Sequence, residues 1–159
     1  LGAHDRLRVG LVWSGNPVHL NDHNRSMPLA TLAPLLDVDA RFISLQKDAR
    51  PADRALLAAR GDILDPTAEI RDFVDTAALI DNLVITVDTS VAHLAGASGK
   101  PTWIMLPYTP DYRWLLGRDD SPWYPSVRLF RQDERRDYGE VVAQVRGALT
   151  QQVAGFPTA

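Results

Sequence analysis

Short apolar runs alternate with stretches of helical periodicity along the whole chain. Residues 8–13, Arg-Val-Gly-Leu-Val-Trp, read as a buried strand. A polar loop covers 14–26, and Pro28 follows where the first turn of a helix tolerates proline. Leu29, Leu32, Leu35 and Leu36 then form a helical stripe. A second strand covers 41–46. Pro51 opens a helix carrying Leu56 and Leu57, and Gly61 is placed to end it. Residues 62–64 predict a short third strand, and Ile70, Phe73, Val74, Ala77, Ala78 and Leu79 predict an amphipathic helix. Residues 83–88 are apolar almost without break, as in a central parallel strand covered on both faces. A helix over 90–97, closed by Gly99, leads to a strand over 101–106. The segment 107–125 has no period. A sixth strand at 127–130 and a helix over 138–149, with Val141, Val142, Val145 and Leu149 on one face, complete the pattern. Residues 151–159 read as a frayed tail.

Six strands alternating with helices predict an α/β fold, a doubly wound, Rossmann-like, mainly parallel sheet with helices on both faces. The expected strand order is 3-2-1-4-5-6, and ligands in such sheets bind beyond the carboxyl ends of the strands, where the order reverses. That point falls between the first and fourth strands, so the relevant loops are 13–26 and 88–93. The chain shows no internal repeat or linker, and all 159 residues are expected to form a single domain.

Composition narrows the function without naming it. Hydrophobic residues make up 45% of the chain, as in ordinary globular proteins. The net charge is −3, with no basic stripe of the kind nucleic acid requires. With no cysteine, a disulfide framework and a thiolate metal site are both excluded. No apolar run approaches bilayer length. Residues 1–6 lack the basic and apolar regions of a secretion signal, and a cytoplasmic protein is expected.

Both loops at the switch point are small and polar. Ser14, Gly15 and Asn16 suit a tight turn that exposes backbone N–H groups. Thr89 or Ser90 suits the start of a helix whose free amides and positive dipole end fit a phosphate. Arg25 is placed to add a charge-assisted contact. Each feature also has an ordinary reading. Residues 88–90 serve equally as a simple helix cap, His93 as a histidine packed on the sheet, and the loop as solvated chain. His19 and His23 have no convincing companion ligands, so no metal site is expected. Tyr108, Tyr112, Trp114, Trp123 and Tyr124 either cover a ligand or fill space between the last strands, the latter reading being preferred for Trp114.

The run Asp88-Thr89-Ser90-Val91-Ala92-His93-Leu94-Ala95-Gly96-Ala97, then Gly99-Lys100-Pro101 and an apolar strand, resembles the nucleotide-sugar signature of family 9 glycosyltransferases, the heptosyltransferases of lipopolysaccharide synthesis. Ser90 stands where that family usually carries glycine. Arg25-Ser26-Met27-Pro28 resembles the family's cation, spacer, aromatic and proline ahead of the first helix, with Met27 in the aromatic position. The run over 13–16, together with 121–125, is most similar to the C-terminal segment of bacterial tetratricopeptide-repeat proteins.

The resemblance implies the C-terminal, donor-binding half of a GT-B glycosyltransferase. The general base and acceptor contacts would lie in an N-terminal half, and helical repeats would belong to the parent chain. A complete enzyme of this type needs about twice this length, at one to two hundred residues per domain, so a fragment or excised domain is expected. On the same resemblance, the amides of Thr89 and Ser90 bind the diphosphate and Arg25 neutralises charge on the leaving group. Ser14 and Gly15 shape the facing wall. Asp88 contacts a sugar hydroxyl or orients Arg25. His93 supports the loop or contacts phosphate, and Gln46 and Lys47 lie near the nucleoside. The donor is a nucleotide-diphosphate sugar, and no cofactor or metal is implied. Two other classes stay open: a catalytically inactive binding or scaffold module, and another sugar-nucleotide enzyme such as an epimerase. A dehydrogenase and a serine hydrolase are disfavoured, because neither Gly-x-Gly-x-x-Gly nor Gly-x-Ser-x-Gly is present where each is needed.

Overall fold

A computed structural model describes residues 5–157. Residues 1–4, on which the N-terminal reading partly rests, and residues 158 and 159 of the expected tail lie outside the described residues. In chain order the strands are β1 (Arg8–Val12), β2 (Arg41–Ser44), β3 (Ile63–Leu64), β4 (Leu83–Val87), β5 (Thr102–Leu106) and β6 (Val127–Arg131). They form one sheet, all parallel, in the order β3-β2-β1-β4-β5-β6. The helices are α1 (Asp22–Arg25), α2 (Pro51–Ala59), α3 (Phe73–Leu79), α4 (Ser90–Ala97) and α5 (Tyr138–Ala154). The fold is a doubly wound α/β sheet.

The two-residue period of a strand divides the core in two. Val9, Leu11 and Trp13 from the first strand region, Leu83, Ile85 and Val87 from β4, and Trp103 and Met105 from β5 face one side. There they meet Leu29, Leu32 and Leu35, Leu57 of α2, and Val141, Val142, Val145 and Leu149 of α5. The alternate residues Val12, Val84 and Ile43 meet Ile80, Val91 and Ala95 on the other side, beside α3 and α4. Ile104, Leu106 and Leu129 pack with Ala92 and Trp114 further along that side. β1 and β4 are buried along their full length, as strands covered on both faces must be.

The first leucine stripe forms a 3₁₀ helix, Leu29–Leu35, rather than an α-helix. Pro34 inside it lacks the N–H an α-helical ladder would use, and the tighter turn still buries Leu29, Leu32 and Leu35. The end of α2 differs too, since its C-cap is Arg60 in extended conformation and not Gly61. Gly99 closes α4 as expected, with φ +68°. The tail is corrected. α5 continues to Ala154, and Val153 and Phe156 pack against the core, so apolar contact rather than fraying governs this end. Phe73 and Val74 depart from the amphipathic reading of the third helix. Both are exposed, while Thr76 is the buried residue of α3.

Candidate functional site

A cleft of about 850 Å³ opens at the carboxyl ends of β1 and β4, within the size range of small-molecule sites. Seven of the nine candidate residues line it: Ser14, Gly15, Arg25, Gln46, Lys47, Thr89 and Ser90. Asp88 and His93 stand behind it.

The β4–α4 junction supplies one wall. Thr89 is the N-cap of α4 in extended conformation, and no side chain caps the helix. The first-turn amides therefore face the cleft with the positive end of the helix dipole behind them. The Thr89 hydroxyl lies 3.3 Å from that of Thr86, turned to the strand rather than to its own helix.

The β1–α1 loop supplies the opposite wall, and here the structure corrects an expectation. The N–H groups of Ser14 and Gly15 are not free. Ser14 donates to Gln46 Oε1 at 2.9 Å, which also accepts from Trp13 N–H at 3.1 Å. Gly15 donates to Ser26 Oγ at 2.8 Å. The loop is thus stitched to the chain by side chains, and these two amides cannot serve an anion. What it does offer is the Ser14 hydroxyl. Ser14 is 2% exposed, lines the cleft and has no hydrogen-bond partner for its Oγ.

Arg25 joins the two walls. Its Nη1 donates to the carbonyl of Asp88 at 2.9 Å, and its Nε lies 3.5 Å from Asp22 Oδ1. The guanidinium lies against the Cα of Gly15, close enough that a β-carbon there would fall 2.5 Å from Nη2. The expected juxtaposition of Arg25 with the start of α4 is present. It runs through the Asp88 backbone, while the Asp88 carboxylate turns away toward His93.

His93 occupies a pocket of its own behind the loop. Its ring stacks on Trp114 at 5.2 Å between centroids, its Nδ1 is 3.0 Å from Tyr124 Oη, and its Nε2 is 3.8 Å from Asp88 Oδ1. Burial pushes the imidazole below the ordinary histidine range, and Arg113 adds to this, while Asp88 opposes it. Tyr124 reaches this position because Gly96 has no side chain. A β-carbon there would sit 2.7 Å from the tyrosine ring. Trp114 is fully buried, while Tyr112 and Trp123 are exposed, and none of the five aromatics of 107–125 lines the cleft.

Gln46, read as a neighbour of the nucleoside, sits on the cleft wall with its carbonyl oxygen spent on the loop. Lys47 reaches across the cleft's far end, where Nζ donates to the carbonyl of Arg71 at 3.0 Å. That end is also lined by Asp48, Ile70, Asp72, Phe73 and Thr76, none of which stood out as a site residue in the sequence. The exposed aromatic at the start of α3 was the available signal, masked by the helical pattern around it. Asp72 caps α3, accepting from the N–H groups of Val74 and Asp75. Among the described residues, no group of three His, Asp or Glu side chains is arranged to hold a metal. No described helix is long and apolar enough to cross a membrane.

Fold and cleft together define a doubly wound α/β domain with a ligand-sized opening at its switch point. No family model matches the chain. Protein FlbA of Caulobacter vibrioides (strain ATCC 19089 / CIP 103742 / CB 15) is 26% identical to it over 153 residues, covering 89% of this chain and 25% of FlbA. The chain thus spans about a quarter of the length of the curated relative it matches.

Proposed function

We propose that this chain is the donor-binding half of a GT-B, heptosyltransferase-like glycosyltransferase and holds a nucleotide-diphosphate sugar in the cleft. The observation that carries the reading is the uncapped start of α4 facing both Arg25 and the buried, unpartnered hydroxyl of Ser14 across the same opening. A helix end with free amides, a guanidinium and a hydroxyl donor together suit a diphosphate. Arg25 Nη1 is taken by the Asp88 carbonyl, and the remainder of the guanidinium on the cleft wall is left for the ligand.

In this reading an acceptor hydroxyl attacks the anomeric carbon. The bond from that carbon to the diphosphate oxygen breaks, and the departing oxygen keeps the electron pair. The fixed positive field of Arg25 and α4 stabilises that charge as it grows, without reorganising. This field supplies what a metal would, so the transfer takes none. The general base belongs to the N-terminal half, and helical repeats belong to the same parent protein. We place that protein in the cytoplasm, where sugar nucleotides are made.

A calorimetric and NMR titration with nucleoside diphosphates tests the reading. Shifts concentrated at residues 14–15, 25 and 89–91, lost in Arg25→Ala, are expected. Perturbations confined to other residues would reject it. Ser90 in place of glycine favours one alternative, a binding module that holds the ligand without turning it over. Sugar transfer by the parent protein, abolished by Arg25→Ala, would argue against that alternative.

A further inference from the structure

We infer that Asp22 is a positioning residue, whose carboxylate aims Arg25 into the cleft. The inference rests on the anion-binding reading above. Asp22 opens α1, a single turn of four residues, and is 5% exposed. An isolated turn of this length has no stability of its own, so its orientation depends on side-chain ties. Burying a carboxylate is costly unless it is paired and hydrogen-bonded. Asp22 meets both conditions. One oxygen accepts from Ser26 Oγ at 2.7 Å and lies 3.5 Å from Arg25 Nε. The other pairs with Arg50, at the mouth of α2.

These contacts converge on the cleft. Gly15 N–H donates to Ser26 Oγ, which donates to Asp22, so one carboxylate fixes the loop against which the Arg25 guanidinium lies. Asp22 and Arg25 are three residues apart and share a face of the turn. Nη1 donates to the Asp88 carbonyl, while the buried Nε has no hydrogen-bond partner and meets the Asp22 carboxylate only as an ion pair at 3.5 Å, so the charge of Asp22 draws the guanidinium against Gly15 on the cleft wall. Arg50 takes up part of the carboxylate's charge, which leaves the Asp22, Arg25 and Arg50 group with a net positive charge next to the helix end. Asp53 shows what a structural acid looks like here. It is equally buried, yet it accepts from Trp13 Nε1 and Leu29 N–H, neither of which lines the cleft.

A double-mutant cycle separates positioning from simple loop support, because a residue that acts through Arg25 has nothing left to act through once Arg25 is gone. The probe is inorganic pyrophosphate, measured by calorimetry on the whole chain. Asp22→Asn is expected to weaken binding by about tenfold in the wild-type background and to change it little in Arg25→Ala. An equal loss in both backgrounds, or no loss in the first, overturns the inference while leaving the site intact. Wild-type protein that ignores pyrophosphate overturns the underlying reading, and the inference with it. Nitrogen-15 spectra of the arginine Nε–H groups give a second measurement. Asp22→Asn is expected to shift the Arg25 Nε–H resonance in the ligand-free protein, and an unchanged resonance also overturns the inference.

Discussion

Gly15 is the residue at which shape and chemistry are hardest to separate. Its φ is not in the left-handed region, so the backbone does not demand glycine. What demands it is the guanidinium of Arg25, three of whose atoms would lie within 2.8 Å of an added β-carbon. Gly15→Ala is therefore expected to push the guanidinium off the Asp88 carbonyl and to lower the melting temperature slightly, because the entropy gain from replacing glycine, about 0.4–1 kcal/mol, holds only where the new side chain fits without strain. Pyrophosphate binding should fall by about tenfold, the size of a charge-assisted contact. Calorimetry beside thermal unfolding checks both, and unchanged pyrophosphate binding would contradict the account. The residue types at this site were legible in the sequence: arginine, a small loop and a helix start on either side of a switch point. The wiring was not. That Gln46 and Ser26 take the amides of Ser14 and Gly15 depends on side chains brought in from just beyond β2 and α1, across 32 and 11 residues, and no local pattern encodes that.

Among the elements, the connection from β5 to β6 looks structureless in sequence, yet it has a fixed centre. Trp114 is fully buried between α4 and the last strands, and its backbone carbonyl accepts from Arg131 Nη2 at 2.7 Å. The next residue, Leu115, is held at φ +54°, an uncommon conformation for a residue with a side chain. Trp114→Ala is expected to cost about 3–5 kcal/mol, the usual penalty for emptying a large buried aromatic site. Chemical denaturation measures it. The same substitution removes the stacking partner of His93, so the His93 ring resonances should broaden or shift. α3 illustrates a different limit. Apolar spacing suggested a helix, and a helix formed, but its start is set by the cap at Asp72 and its buried residue is Thr76. Asp72→Ala should destabilise the chain by about 1 kcal/mol, through two unsatisfied amides, without emptying any core position. The 3₁₀ segment was missed because the leucine spacing suits either helix, and only Pro34 favours the tighter one.

For the molecule as a whole, strand count and direction followed from the alternation of apolar runs and helical stretches, whereas the order rested on the Rossmann-like arrangement, one of two common doubly wound orders that share the same crossover hand. The position of the cleft followed from that order alone. His93 gives the whole chain a pH dependence. Its folded form holds the proton less tightly than the unfolded chain does, because burial disfavours the charged ring. Between the ordinary histidine value near 6.5 and the lower folded value, the unfolded state binds more protons, so stability rises with pH. Stability is thus expected to be complete above about pH 6.5 and to decline as pH falls through that window. Denaturation midpoints between pH 5 and 8 should follow this course, and His93→Gln should flatten it.

The hydroxyl of Tyr138, at the start of α5, donates to the carbonyl of Asn24, 114 residues earlier in the chain. Burial holds that proton on far above the ordinary phenol range, so the bond persists at any physiological pH. Ribosomal synthesis releases Asn24 long before Tyr138, and the turn carrying Arg25 remains without this anchor until α5 has emerged. A nascent polypeptide halted before Tyr138 should therefore show little affinity for phosphorylated ligands, and competence should arrive only with the emergence of α5.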